Sequence, residues 1–246
     1  MNQDASLQPR KAVFFDLDDT LYDQLVPFRN AVAEHLPEHA ESLPADGLFR
    51  AFRRHSDLLW EPYAGGELPL ETMRVMRLVR AFADFGVTID ERISVSVQEA
   101  YEAGQGRIRF LPGVEACFSE LARSGYRIGV ITNGPEQHQW RKIRALGLDR
   151  IVPREMVFIS GAVGLTKPDP RLFEHVNRLS GTDPEQCIFV GDSWENDMLG
   201  ARNAGWRGVW FNPRGNRPGK DYAPHLIVSD FADLAAFIIK SEEQCL

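Results

Sequence analysis

Short apolar, β-prone runs alternate with amphipathic stretches along most of this chain, and clusters of polar residues stand where the runs stop. The first run, Lys11-Ala-Val-Phe-Phe, halts abruptly at Asp16-Leu-Asp-Asp-Thr, the pattern of a strand feeding a polar loop. Comparable runs recur at Tyr126-Arg-Ile-Gly-Val-Ile, Glu155-Met-Val-Phe-Ile, Cys187-Ile-Phe-Val and Gly208-Val-Trp-Phe, with a weaker one at His225-Leu-Ile-Val. Each reads as a buried strand of a parallel sheet. Between them, apolar residues at helical spacing predict helices over Gly113 to Ser124, Gln137 to Leu146, Arg171 to Leu179 and Trp194 to Ala204. Strands alternating with helices imply βα units and a doubly wound, Rossmann-like α/β core. In such sheets ligand sites gather beyond the C-terminal ends of the strands.

One stretch departs from the alternation. Residues 24–107 carry apolar positions at helical spacing, first Leu48, Phe52, Leu58 and Leu59, then Met73, Met76, Val79, Ala81, Phe82 and Phe85. Pro37, Pro44 and Gly65-Gly66 break this stretch into pieces. We read 24–107 as an inserted α-helical cap domain, residues 1–23 and 108–246 as the core, and Arg107 to Pro112 as the return hinge. The polar first ten residues read as a frayed leader without the apolar stretch of a secretory signal.

At 246 residues, 43% hydrophobic and 26% charged, the chain has enough apolar mass for one core domain with a smaller insert, which excludes general disorder and fibrous folds. A net charge of −7 argues against a nucleic acid polymer or an anionic membrane as partner, while a local basic pocket for a small anion stays open. No apolar run approaches the roughly 20 residues that span a bilayer, so a cytoplasmic location is the default expectation. Cys117, Cys187 and Cys245 are far apart and form no C-x-x-C pattern, and they read as reduced. His35 and His39 share a helical spacing better suited to a helix face than to a metal site. Monomer and homodimer both remain open.

Four polar clusters carry possible chemistry, and each alone has a bland reading. Asp16-x-Asp18 pairs two carboxylates that could divide the work of nucleophile and proton carrier, but also suits a capped turn. Thr132-Asn133-Gly134 offers a hydroxyl, an amide and close backbone approach to a phosphate, and is equally an ordinary turn. Lys167-Pro168 holds a cation on extended backbone, though a lone lysine is commonly a surface residue. Asp192-Ser193-Trp194-Glu195-Asn196-Asp197 supplies oxygen ligands for a hard cation, or simple compensation of a helix dipole. All four occur in a compatible order, each where the sheet would present its ligand site.

Together these residues resemble the haloacid dehalogenase-like hydrolase superfamily, in the subgroup with a helical cap inserted after the first strand. The family pattern D-x-D-x-T is met by Asp16, Asp18 and Thr20, its threonine by Thr132, its lysine by Lys167, and its terminal acidic motif by Asp192 and Asp197. The resemblance covers the core well and the cap more loosely. It implies a magnesium-dependent phosphohydrolase for small phosphomonoesters, nucleotide or sugar phosphates, working through an aspartyl-phosphate. Asp16 would be the nucleophile and Asp18 first acid, then base. Mg2+ would be held by the Asp16 and Asp192 carboxylates and the main-chain carbonyl of Asp18. Thr132, Asn133 and Lys167 would bind the phosphate, with Asp197 and Thr20 supporting them from behind. Trp60, Glu61, Tyr63 and Arg77 are the cap candidates for the leaving group, each weighed against plain packing. Asp18, and the absence of any lysine between Gln24 and Arg107, disfavour the family's dehalogenases and phosphonate hydrolases. A phosphomutase, or a noncatalytic phosphate-binding regulatory protein, are the alternatives.

Overall fold

The computed structural model describes residues 11–219 and 222–243, so the N-terminal leader and Cys245 lie outside the described residues. The chain forms two compact units, one of Gln24–Ile108 and one of Met1–Asp23 with Arg109–Leu246.

The first of these is all helical: α1 (Leu25–His35), α2 (Pro37–Ser42), α3 (Ala45–Ala64), α4 (Leu70–Ala83) and α5 (Glu91–Gln105). Pro37 opens α2 in the first turn, where its missing N–H leaves no bond unmade. Asp90 caps α5, its Oδ1 accepting from the Ile93 N–H at 2.8 Å. The interior is aromatic, with the Phe28 and Phe52 ring centroids 4.8 Å apart and Tyr101 edge-on to Phe52 at 5.7 Å. Leu58, expected on the buried face of α3, is instead 63% exposed. The buried stripe follows Leu48, Phe52 and Leu59, and Leu58 falls about 100° round the helix from Leu59.

The other unit holds a six-stranded parallel sheet: β1 (Ala12–Phe15), β2 (Arg127–Thr132), β3 (Val157–Ile159), β4 (Cys187–Gly191), β5 (Arg207–Phe211) and β6 (Leu226–Val228). Its order is β3-β2-β1-β4-β5-β6. Ala12 pairs with Arg127 on one side and Cys187 on the other, so β1 is central and the order of connection reverses beside it. That reversal opens the crevice where α/β sheets bind ligands. Helices α6 (Val114–Arg123), α7 (Glu136–Ala145), α8 (Ser160–Val163), α9 (Pro170–Ser180), α10 (Gly200–Asn203) and α11 (Leu234–Glu243) accompany the strands. The α/β expectation holds.

Two elements differ from their sequence reading. β6 is an edge strand, paired only with β5, and Ile227 is 53% exposed rather than buried. The helix expected over Trp194 to Ala204 opens with a π turn at Trp194–Leu199 before α10 begins. There the Ser193 carbonyl accepts from both Asp197 N, at 2.9 Å, and Met198 N, at 3.2 Å. The wider turn folds the Asp197 side chain back against the end of β4, where its Oδ2 accepts from Ser193 N at 2.9 Å. A Cβ on Gly191 would lie 2.3 Å from that oxygen, so this strand must end in glycine. Among the described residues no helix is long and apolar enough to cross a membrane.

Candidate active site

Three strand ends deliver the polar clusters to one place. Asp16 directly follows β1, and its N–H donates to the Val190 carbonyl of β4 at 2.9 Å, which continues the sheet pairing one residue into the loop. Leu17 and Leu21 are fully buried and anchor the loop, while Asp19 takes a positive φ of 61°, a conformation aspartate adopts more readily than most residues. Arg214 clamps the loop from β5's far end, with Nη2 at 3.0 Å from Asp19 Oδ1 and 2.7 Å from Asp23 Oδ1. β4 and its π turn supply Asp192 and Asp197, and β2 supplies Thr132 and Asn133.

Lys167 sits at the centre. Its Nζ donates to Asp16 Oδ1 at 2.5 Å and to Asp197 Oδ1 at 2.6 Å, all three side chains being buried. Its backbone is gripped on both sides by Asn133, whose Nδ2 donates to the Lys167 carbonyl and whose Oδ1 accepts from the Lys167 N–H, each at 2.9 Å. Asn133 therefore places the lysine. Burial alone would lower the Lys167 ammonium, but the Asp16 and Asp197 carboxylates hold it above its ordinary value.

Asp16, Asp192 and Asp197 bring one carboxylate oxygen each within 4.8 Å of one another. Thr20 Oγ1 lies 3.5 Å from Asp192 Oδ1, at the outer limit of a hydrogen bond. Burial pushes the Asp16 carboxyl up to about 7; Lys167 pulls it down, and the Asp197 and Asp18 charges push it further up. An all-oxygen donor set with more negative charge than one lysine neutralises suits a hard cation such as Mg2+, and offers nothing to a soft one.

Asp18 belongs to a separate network. Its Oδ1 accepts from Tyr22 Oη at 2.5 Å and from Lys142 Nζ at 2.6 Å. Its Oδ2 accepts from Lys142 Nζ at 2.7 Å and from Gln139 Nε2 at 2.9 Å. Burial would raise this carboxyl, but the Lys142 charge and the bonds from Lys142, Tyr22 and Gln139 hold it well below the usual carboxylate range. Gln139 Nε2 also donates to Thr132 Oγ1, which leaves the threonine hydroxyl proton free to point elsewhere.

Sequence reasoning missed Lys142, Gln139, Tyr22 and Arg214. A signal existed for one of them: Gln139, Ile143 and Leu146 stand at i, i+4 and i+7 on α7 and its cap, so a polar residue occupies a slot of the buried stripe. Both Gln139 and Lys142 are buried, at 1% and 4% exposure. Buried polar side chains at core positions are held there by partners, and here the partners are Asp18 and Thr132. Trp60, Glu61, Tyr63 and Arg77 all lie on α3 and α4 of the helical unit.

A family model described as haloacid dehalogenase-like hydrolase matches residues 10–205. The chain is 32% identical to a glyceraldehyde 3-phosphate phosphatase of Pyrococcus abyssi over 205 residues, covering 82% of this chain and 81% of that one. It is 31% identical to a phosphoserine phosphatase of Thermus thermophilus, covering 91% and 97%. Among solved structures, L-2-haloacid dehalogenase from Xanthobacter autotrophicus superposes with a TM-score of 0.72 at 20% identity, over 93% of this chain and 98% of that one. At that identity the likeness concerns the fold.

Proposed function

This chain belongs to the haloacid dehalogenase-like hydrolases and is a phosphatase, and we propose that it hydrolyses small-molecule phosphomonoesters, such as sugar or nucleotide phosphates, through a phosphorylated Asp16. The observation that carries this reading is the buried cluster at the end of β1, where Lys167 Nζ bridges Asp16 and Asp197 beside Asp192. A nucleophilic carboxylate, a fixed cation and spare oxygen ligands are the parts that phosphoryl transfer needs, since its catalysis is mostly positioning and charge stabilisation.

Lys167 offsets part of the burial that raises the Asp16 carboxyl and so favours the carboxylate, which attacks phosphorus as the ester P–O bond breaks. The departing alkoxide takes its proton from Asp18. In the second half Asp18 takes a proton from the water that attacks the aspartyl-phosphate, which restores the Asp16 carboxylate and releases inorganic phosphate. Asp18 must hold a proton for the first half, and its Lys142 pair opposes that. The negative phosphoryl group arriving nearby acts the other way, raising the Asp18 carboxyl by like charge. Lys142, Gln139 and Tyr22 hold that carboxylate in place throughout. The Thr132 hydroxyl, oriented by Gln139, donates to a phosphoryl oxygen, with Lys167 supplying positive charge. The Asp16 and Asp192 carboxylates and the Asp18 main-chain carbonyl would hold magnesium, which when bound would supply the charge neutralisation that lets an anionic nucleophile meet an anionic ester. The helical unit, inserted in the chain just after this loop, is assigned the choice of leaving group.

The test is phosphate release from p-nitrophenyl phosphate and a panel of metabolite phosphates, with magnesium or with EDTA, for the parent and Asp16→Asn. Release that requires magnesium and falls by about 10⁴-fold or more in the variant, the scale of losing a nucleophile, supports the reading. Full activity in Asp16→Asn would overturn it. Magnesium-dependent isomerisation of a sugar phosphate without release would favour the mutase.

A further inference from the structure

Among the described residues, one position other than glycine sits on left-handed backbone: Asp19, with φ at 61°. Its place in the chain gives that conformation a consequence. The peptide between Asp18 and Asp19 carries the Asp18 main-chain oxygen, and the Asp19 φ helps to set the plane of that peptide. Thr20 follows directly, its Oγ1 3.5 Å from Asp192 Oδ1. Aspartate enters the left-handed region more readily than most residues, yet such a conformation persists only where its surroundings over-determine it.

Arg214 supplies such a constraint. Its Nη2 lies 3.0 Å from Asp19 Oδ1 and 2.7 Å from Asp23 Oδ1, so one guanidinium nitrogen ties the middle of the loop to its end. Asp19 is buried and Arg214 half-buried, a setting in which charge-assisted hydrogen bonds fix geometry as well as adding energy. The turn that carries Arg214 is itself held in place. Asn212 N donates to the Val228 carbonyl of β6 at 2.7 Å. The Asn212 side chain grips the Asn216 backbone on both sides, Nδ2 donating to its carbonyl at 3.0 Å and Oδ1 accepting from its N–H at 2.8 Å. Arg214 therefore reaches the loop after β1 from a fixed point beyond the end of β5.

From this we infer that Arg214 is a positioning residue for the metal site: by holding Asp19 in its left-handed conformation, it fixes the orientation of the Asp18 main-chain carbonyl. The inference deepens the hydrolase reading and rests on it, since that reading makes this carbonyl a magnesium ligand. Charge and position act in opposite directions here. A guanidinium near the site repels a cation, so removing its charge alone would tighten metal binding, whereas releasing Asp19 would weaken it.

The test is titration of the protein with Mn2+ alone, a paramagnetic stand-in for magnesium, with the free ion followed by electron paramagnetic resonance. Arg214→Met is expected to weaken Mn2+ binding by about tenfold or more, the scale on which groups that support a metal's ligands act. Asp19→Gly separates conformation from charge, because glycine takes a positive φ without a side-chain clash. In the Asp19→Gly background the backbone needs no anchor, so adding Arg214→Met should no longer weaken binding. Unchanged or tighter binding in Arg214→Met would overturn the positioning role, and so would an equal loss in the Asp19→Gly background. A parent protein that binds no Mn2+ would instead sink the metal half of the hydrolase reading, and this inference with it.

Discussion

The two units treat their cations in opposite ways. In the sheet unit Lys142 and Lys167 are both buried, and each is closed onto carboxylates, Lys142 onto Asp18 and Lys167 onto Asp16 and Asp197. In the helical unit Arg77 is held by an amide, a hydroxyl and an aromatic face. Burying a charge is tolerable only when a countercharge or a dense set of hydrogen bonds goes with it. The sheet unit meets that condition within its own sequence, as the proposed mechanism requires if Asp16 and Asp18 are to be held in a fixed geometry before any substrate arrives. The helical unit meets it with neutral partners alone, since Arg77 lies over the Phe52 ring and donates to Gln98 and Ser56.

The largest effect that would break this contrast comes from Lys142. Lys142→Met leaves the half-buried Asp18 carboxylate with only Tyr22 and Gln139, and removing one member of such a pair destabilises by at most about 3–5 kcal/mol, the cost for a fully buried one. Its effect on turnover should depend on the leaving group. Alkyl phosphates, whose alkoxide needs a proton from Asp18, are expected to slow by about 10²-fold, within the range of general acid–base catalysis. p-Nitrophenyl phosphate, whose leaving group needs no proton, should slow much less. Equal slowing of both esters would mean that Lys142 acts on the fold rather than through Asp18.

A smaller effect lies in the pH dependence of stability without metal. The folded-state pKa of Asp16, about 7, exceeds its unfolded value, so the folded protein binds that proton more tightly and loses stability as pH rises from about 4 to about 7. Asp18 is shifted the other way; the stability it lends is present above its unfolded pKa and is lost as pH falls below about 4. Thermal melts in EDTA should therefore show the parent dropping between about pH 4 and about pH 7, with a flatter profile for Asp16→Asn. Magnesium should flatten the parent and leave the variant where it was. Parallel profiles for the two proteins would remove the crowded-carboxylate picture of the site.

Much of this architecture was legible in the pattern of the chain. The run before Asp16 and the runs at Cys187 and Gly208 read as strands because a parallel sheet covered on both faces demands unbroken apolar stretches. Three of the four polar clusters, those at Asp16, Thr132 and Asp192, read as a site because each stops such a run. The π turn at Trp194 was not legible, since its apolar spacing matches an ordinary helix and the extra residue shows only in the Ser193 carbonyl's two bonds. Leu58 went astray because neighbouring leucines on a helix point about 100° apart and only packing decides which is buried. Lys142 was hidden for a different reason. A lysine in a polar helix is ordinarily solvated, and its burial becomes visible only when the fold brings α7 against a carboxylate 124 positions away in the chain.

The central claim is that phosphate passes through Asp16. It is tested most directly by mixing Asp18→Asn protein with p-nitrophenyl phosphate and magnesium, quenching in acid, and mapping the product by mass spectrometry. A leaving group that needs no proton lets the first half proceed, while loss of the base stalls the second. The account predicts one phosphoryl group on the peptide containing Asp16, absent when Asp16→Asn is added. Rapid release of nitrophenol with no phosphoryl group on Asp16, or with one on another residue, would contradict it.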